Sequence, residues 1–253
     1  MNRWLLGALL TICVGVSAQA ADLVVYSATA MQAALASVPA EFAAATGNHV
    51  RFVFGTAGFV HDKVAGGEAV DVVIAPPAPL QQLAKSGAVQ GDTVKGLGET
   101  KLGVVVRQGA PHPKTATEDE FRTALLAAPS LGAADPASGA TTGIYLAKLF
   151  DRLDLTPALK PKLHLYDTGL AVAAAAARNE VALGIGQLSE ILPVAGAELA
   201  GVLPENLQLR TVYAISLPAH PTHPEAARKL YDFLLARAGQ GGFARFGFEP
   251  AKP

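Results

Sequence analysis

One pattern constrains this chain more than any other: short apolar runs, each followed by a loop of small residues and then a helical stretch. Leu23-Val24-Val25-Tyr26 leads into Ser27-Ala28-Thr29-Ala30, and a helix is predicted over 31–46, stopped by Gly47. A second strand is predicted over 49–54, and Gly55-Thr56-Ala57-Gly58 opens a short helix ended by Gly66-Gly67. A strand over 70–74 and a helix over 79–86 complete the first series. Buried parallel strands carry such near-continuous apolar runs, and strand, loop and helix in rotation define an α/β fold. The rhythm restarts after Lys101, with strands predicted over 102–106, 130–134, 163–166 and 181–185. Helices are predicted over 118–127, 141–153 and 169–178, followed by a longer strand-like stretch over 207–217. Helices over 224–236 and about 241–246 end the chain. The restart predicts two α/β lobes with the second inserted in the first. Crossings near Gly103 and Gln208 assign residues 21–102 and 208–253 to lobe 1 and 103–207 to lobe 2. The alanine run at 173–177 lies inside a helical stretch, so tight helix packing accounts for it.

The first twenty residues read as a secretory signal peptide. Arg3 supplies positive charge, residues 4–16 are apolar, and Ala18-Gln19-Ala20 is a small-x-small cleavage site. Leu10-Thr11-Ile12-Cys13 hints at lipidation, but Ile12 is bulky for the residue before a lipidated cysteine. Cleavage after Ala20 removes Cys13, the one cysteine among 253 residues, leaving no disulfide and no thiolate chemistry. It also removes Arg3, leaving 19 of 20 basic residues against 21 acidic ones, a net charge of −2. Near-neutral charge without a Lys/Arg cluster argues against nucleic acid or an anionic membrane surface as partner. Beyond the leader no apolar run approaches the ~18 residues that a spanning helix needs. With 51% hydrophobic and 16% charged residues, the chain is an exported globule expected in the periplasm, acting as a monomer.

Four loops before helices are built almost wholly from Ser, Thr, Gly and Ala: 27–30, 55–58, 137–142 and 168–169. Small residues let a ligand approach the backbone, and amides at a helix start attract anions. Ser and Thr there also cap helices, which any one such loop explains equally well. Four loops in corresponding positions predict instead an anion cleft between the lobes, at the carboxyl ends of the strands. Candidate bases near loop edges are His61, one turn into a helix, and Glu190, after Gln187-Leu188-Ser189, with Lys63, Tyr145 and Tyr26 as further titratable groups. His220 and His223 have a metal-like spacing, but the flanking prolines indicate a turn, so no metal is expected. Neither a nucleophile elbow nor a phosphate-binding Gly-Lys-Ser/Thr is present, which leaves hydrolase and nucleotide readings unsupported, and no cofactor is expected.

The residues Ser27-Ala28-Thr29-Ala30-Met31, Phe54 to Gly58, Ala69 to Val73, Thr142-Gly143-Ile144-Tyr145 and Arg178 to Ile185 carry a resemblance. In this order and spacing the mature chain resembles the type II periplasmic solute-binding proteins, in their molybdate-binding branch. That resemblance implies a two-lobed fold with the ligand cleft between the lobes. It places the ligand near Ser27, Thr29, Ala30, Thr56, Ala57, Gly58, Ser138, Thr141, Thr142, Tyr145, Gly169 and Gln187. It also implies a small anionic ligand and an ABC permease partner. The chain departs from the branch where the molybdate-binding serines fall on Ala30 and on Ala57 or Gly58, and where Gln187 replaces the hydroxyl-donating tyrosine. A buried tetrahedral oxyanion needs nearly all its donors, each unpaired one costing ~1–3 kcal/mol. Asp135-Pro136-Ala137-Ser138-Gly139, Gly143-Ile144-Tyr145 and Gln187 to Pro193 resemble instead the periplasmic aconitate isomerases on the same scaffold. That similarity implies an allylic proton shift converting trans- to cis-aconitate, with His61 and Glu190 as the candidate bases. The alternative function is the substrate-binding component of an ABC importer for an oxyanion or carboxylate.

Overall fold

The computed structural model describes residues 20–251, so the expected leader, apart from Ala20, lies outside the described residues. The chain opens with β1 (Asp22–Ala28), followed by a 3-10 turn over Thr29–Met31, α1 (Gln32–Leu35) and α2 (Val38–Thr46). The single helix expected over 31–46 is thus three pieces, because Pro39 can sit only in the first turn of a helix and forces a new start there. Then come β2 (His49–Gly55), α3 (Ala57–Ala65), β3 (Val72–Ala75), α4 (Pro77–Lys85) and β4 (Lys95–Thr100). The chain crosses at Lys101 into β5 (Leu102–Arg107), α5 (Glu118–Ala127), β6 (Leu131–Ala134), α6 (Thr141–Arg152) and α7 (Thr156–Leu159). There follow β7 (Leu163–Tyr166), α8 (Gly169–Ala177), β8 (Leu183–Gln187), α9 (Leu188–Ile191) and β9 (Ala197–Val202). It returns through β10 (Thr211–Ser216), α10 (Pro224–Gly239) and β11 (Phe248–Glu249).

The first sheet has six strands in the order β11-β4-β10-β3-β1-β2, and the second has five in the order β7-β6-β8-β5-β9. The second sheet therefore draws only on the segment between β4 and β10, an insertion of one lobe in the other. β1 runs parallel to β2 and β3, whereas β10 is antiparallel to both β3 and β4. In the second sheet β6 is parallel to β7 and β8, and β5 is antiparallel to β8 and β9. The antiparallel pairs sit where the chain passes between lobes, and the parallel pairs carry the loops that precede helices.

Alternation along β1 splits the lobe 1 core in two. Leu23 and Val25 join Met31, Phe42, Ile74 and Leu230 on one face; Tyr26 joins Val60, Val73, Leu80 and Leu83 on the other. In lobe 2, Leu102 and Val104 pack with Phe121, Leu131, Leu146 and Ile185. Val105 faces the opposite way, against Ala173, Ala175, Ala176, Val181 and Ile191. The alanine run packs the sheet closely because glycines lie beneath it. A Cβ at Gly184 would stand 2.7 Å from Val172 Cγ1 and 2.8 Å from Val105 Cγ1.

Candidate functional site

Five helix starts converge on one cleft between the lobes. The β1 loop brings Ala28, Thr29 and Ala30; the β2 loop brings Gly55, Thr56 and Ala57. From lobe 2 come Ala140, Thr141 and Thr142 at the start of α6, Thr168 and Gly169 at the start of α8, and Gln187 and Glu190 around the start of α9. Tyr213 of β10 completes the lining. Apart from Tyr213, which lies within β10, these positions meet because each lies at or beyond the carboxyl end of a strand, where an α/β sheet opens its crevice.

The helix starts differ in how their amides are satisfied. Thr56 caps α3 by accepting from the Phe59 amide at 3.1 Å, and Thr168 caps α8 by accepting from the Ala171 amide at 3.2 Å. Ala140, at the corresponding place on α6, offers no side-chain acceptor to that helix's first turn. Each helix start carries roughly half a positive charge, so α3, α6 and α8 together present an electropositive cleft. No lysine, arginine or histidine lines it among the described residues. Positive potential here is a property of the backbone.

Against it stands one carboxylate. Glu190 is 6% exposed and accepts from the Leu170 amide at 3.2 Å. Burial pushes its pKa up to about 7, although the amides of Leu170, Gln187 and Gly169 work in the opposite direction. Gly169 makes room for it, since a Cβ there would sit 2.1 Å from Glu190 Oε2. Beside it, Tyr213 donates its hydroxyl to Gln187 Oε1 at 2.9 Å, and Gln187 Nε2 lies 3.4 Å from Thr211 Oγ1. Burial first, and then the negative charge of Glu190, hold the Tyr213 phenol protonated well above its ordinary range.

The expected site residues separate into groups. Thr29, Ala30, Thr56, Ala57, Thr141, Thr142, Gly169, Gln187 and Glu190 line the cleft together. Gly58 and Ser138 form its latch instead: Thr56 Oγ1 donates to the Ser138 carbonyl at 2.6 Å, and the Gly58 amide to the Gly139 carbonyl at 3.2 Å. Both bonds join lobe 1 to lobe 2, so the cleft is closed. Ser27 is wholly buried in β1 with its hydroxyl on the Ala28 carbonyl, and Tyr145 packs beside the lobe 2 core, donating to the Leu207 carbonyl at 2.9 Å. His61 is a correction. It sits on the second turn of α3, partly buried, with its ring against exposed Asp62 at 3.0 Å, and it is outside the cleft lining because one helical turn carries it past the loop that lines the cleft. His223 likewise faces Asp71, whose carboxylate accepts from the His223 amide at 2.7 Å. No cluster of metal-binding side chains occurs among the described residues. Tyr213 went unseen in the sequence, where it is one aromatic residue in a strand; its nearness to the predicted crossing at Gln208 was the available signal.

Two α/β lobes closed over a cleft of helix starts define a type II periplasmic-binding fold. The chain belongs to the bacterial extracellular solute-binding protein family, whose model matches residues 23–249. It is 33% identical over 192 residues to an aconitate isomerase from a Pseudomonas species, covering 76% of this chain and 71% of that protein. It is 27% identical over 238 residues to the molybdate-binding protein ModA of Mycobacterium tuberculosis, covering 89% of this chain and 85% of that one. The fold is shared with the Azotobacter vinelandii periplasmic molybdate-binding protein, with a TM-score of 0.75 at 16% identity over 91% of this chain and 100% of that one.

Proposed function

We propose that this protein is a periplasmic isomerase that converts trans-aconitate to cis-aconitate on a solute-binding scaffold. The observation that carries this reading is Glu190, a buried carboxylate with its pKa near 7 facing a cleft otherwise built to attract anions. For simple anion capture such a group is a liability, since it repels the ligand whenever it is ionised. For a proton shift it is the required part, a base poised near the operating pH. Glu190 takes a proton from the substrate methylene, and the electron pair spreads through the neighbouring double bond into a carboxylate. In this reading helix-start amides and the Thr141 and Thr142 hydroxyls, which line the cleft, stabilise that charge. Returning the proton to the former vinyl carbon makes it the methylene and leaves the double bond one position along. The proton taken is replaced and no electrons leave the substrate, so the reaction balances within a single molecule. The similarity to the Pseudomonas aconitate isomerase supports the same reading. Following cis-aconitate by chromatography after adding purified protein to trans-aconitate tests it; absence of conversion removes it.

A second reading is favoured by the closed latch between Thr56 and Ser138 and by the similarity to ModA. In it the chain binds an oxyanion or carboxylate in the periplasm and delivers it to an ABC permease. It predicts ligand-induced thermal stabilisation of RT ln(1 + [L]/Kd) without turnover.

A further inference from the structure

Tyr213 reaches the cleft from lobe 1, whereas Gln187, the residue it bonds, belongs to lobe 2. A carboxamide carries one acceptor end and one donor end. Anions are held by donors, so a glutamine in an anion cleft works only if its carbonyl is turned away. Here the Gln187 carbonyl is committed to the Tyr213 hydroxyl at 2.9 Å. Its amide nitrogen has a partner only at 3.4 Å, Thr211 Oγ1, which leaves N–H capacity to offer the cleft. The phenol is itself held: its ring stands edge-on to Phe248, with centroids 6.1 Å apart at 84°, and Phe248 packs on Phe243.

We propose that Tyr213 is a positioning residue that fixes the Gln187 carboxamide so that its NH2, and not its carbonyl, meets the anion. The pair then supplies from two lobes one oriented donor. This deepens the anion-cleft reading and rests on it. Phenylalanine at 213 keeps the ring contact with Phe248 and deletes only the hydroxyl, which makes Tyr213→Phe the informative change; its melting temperature serves as the fold control.

Calorimetry with trans-aconitate on wild type, Tyr213→Phe, Gln187→Ala and the double variant tests the proposal. Tyr213→Phe is expected to weaken binding about tenfold, the scale of one oriented hydrogen bond, and Gln187→Ala at least as much. The double variant is expected to bind no more weakly than Gln187→Ala, because a residue acting only through Gln187 has nothing left to position. Additive losses, or wild-type affinity in Tyr213→Phe, overturn it. A second measurement needs no ligand: the side-chain amide resonances of Gln187 in 15N-labelled protein are expected to shift and exchange faster in Tyr213→Phe, and unchanged resonances overturn the proposal. The isomerase reading fails separately. Wild type that binds trans-aconitate without converting it sinks that reading and leaves the binding cycle to decide; wild type that binds none leaves the amide resonances to decide.

Discussion

Glu190 combines three facts at one position: near-complete burial, a cluster of backbone donors and a place in the lining of the cleft. Its native pKa near 7 lies above the ordinary 4.5, so the folded state binds more protons between those values. Stability therefore falls as pH rises through that window, and above pH 7 the whole penalty of about 3 kcal/mol is present. Glu190→Gln removes the ionisation. Melting curves of the two proteins are expected to lie close at pH 5, with the variant gaining on wild type up to pH 8; a gap independent of pH contradicts the assignment. The sequence named Glu190 and His61 alike as bases, and only burial separates them. Both lie near small-residue loops, but α9 turns Glu190 inward against Gly169 while α3 leaves His61 partly exposed beside Asp62, outside the cleft. Which way a short helix faces depends on packing from elsewhere in the chain, and periodicity over four residues such as α9 cannot register it.

Many of the elements were legible because each announces itself locally. Glu118–Ala127 and Leu163–Tyr166 coincide with the stretches read as helix and strand, and Thr117 with Glu120 forms a capping box at the first of them. β4, β9 and β11 were missed. Lys-Gly-Leu-Gly-Glu-Thr and Ala-Glu-Leu-Ala-Gly-Val have no apolar run or clean alternation, because glycine is there for a neighbour's sake. A Cβ at Gly201 would lie 2.5 Å from Thr115 Oγ1, and one at Gly98 would lie 3.2 Å from Phe248. The same logic predicts that Gly184→Ala, which drives a methyl into Val172 and Val105, costs about 1–3 kcal/mol in chemical denaturation. Wild-type stability in that variant contradicts the close helix–sheet approach. Thr56 both caps α3 and reaches the Ser138 carbonyl, so Thr56→Ala is expected to lose about 1 kcal/mol for the cap and more for the latch. Thr168→Ala loses a cap alone, and equal losses from the two variants contradict the latch.

At the scale of the whole molecule, two backbone crossings join the lobes, and the Gln208 side chain ties the crossings to each other. Gln208 Oε1 accepts from the Leu102 amide at 2.7 Å, while its Nε2 donates to the Leu102 and Leu203 carbonyls at 3.1 and 3.2 Å. Removing that side chain leaves backbone groups unpaired at the crossing, so Gln208→Ala is expected to lose about 1–3 kcal/mol in denaturant titration, and an unchanged midpoint contradicts the tie. The two-lobed plan was visible because the strand–loop–helix series stops and restarts. Which residues the closed lobes press together was not, since Tyr213 and Gln187 are 26 positions apart and belong to different sheets. The pH profile of kcat/KM for trans-aconitate addresses the central claim most directly. Activity is expected to rise as pH climbs through about 7, as the free protein's buried carboxylate ionises, and Glu190→Gln is expected to abolish it while still binding the substrate. Conversion at an undiminished rate by Glu190→Gln, or substrate binding by the wild type with no conversion at any pH, would contradict it.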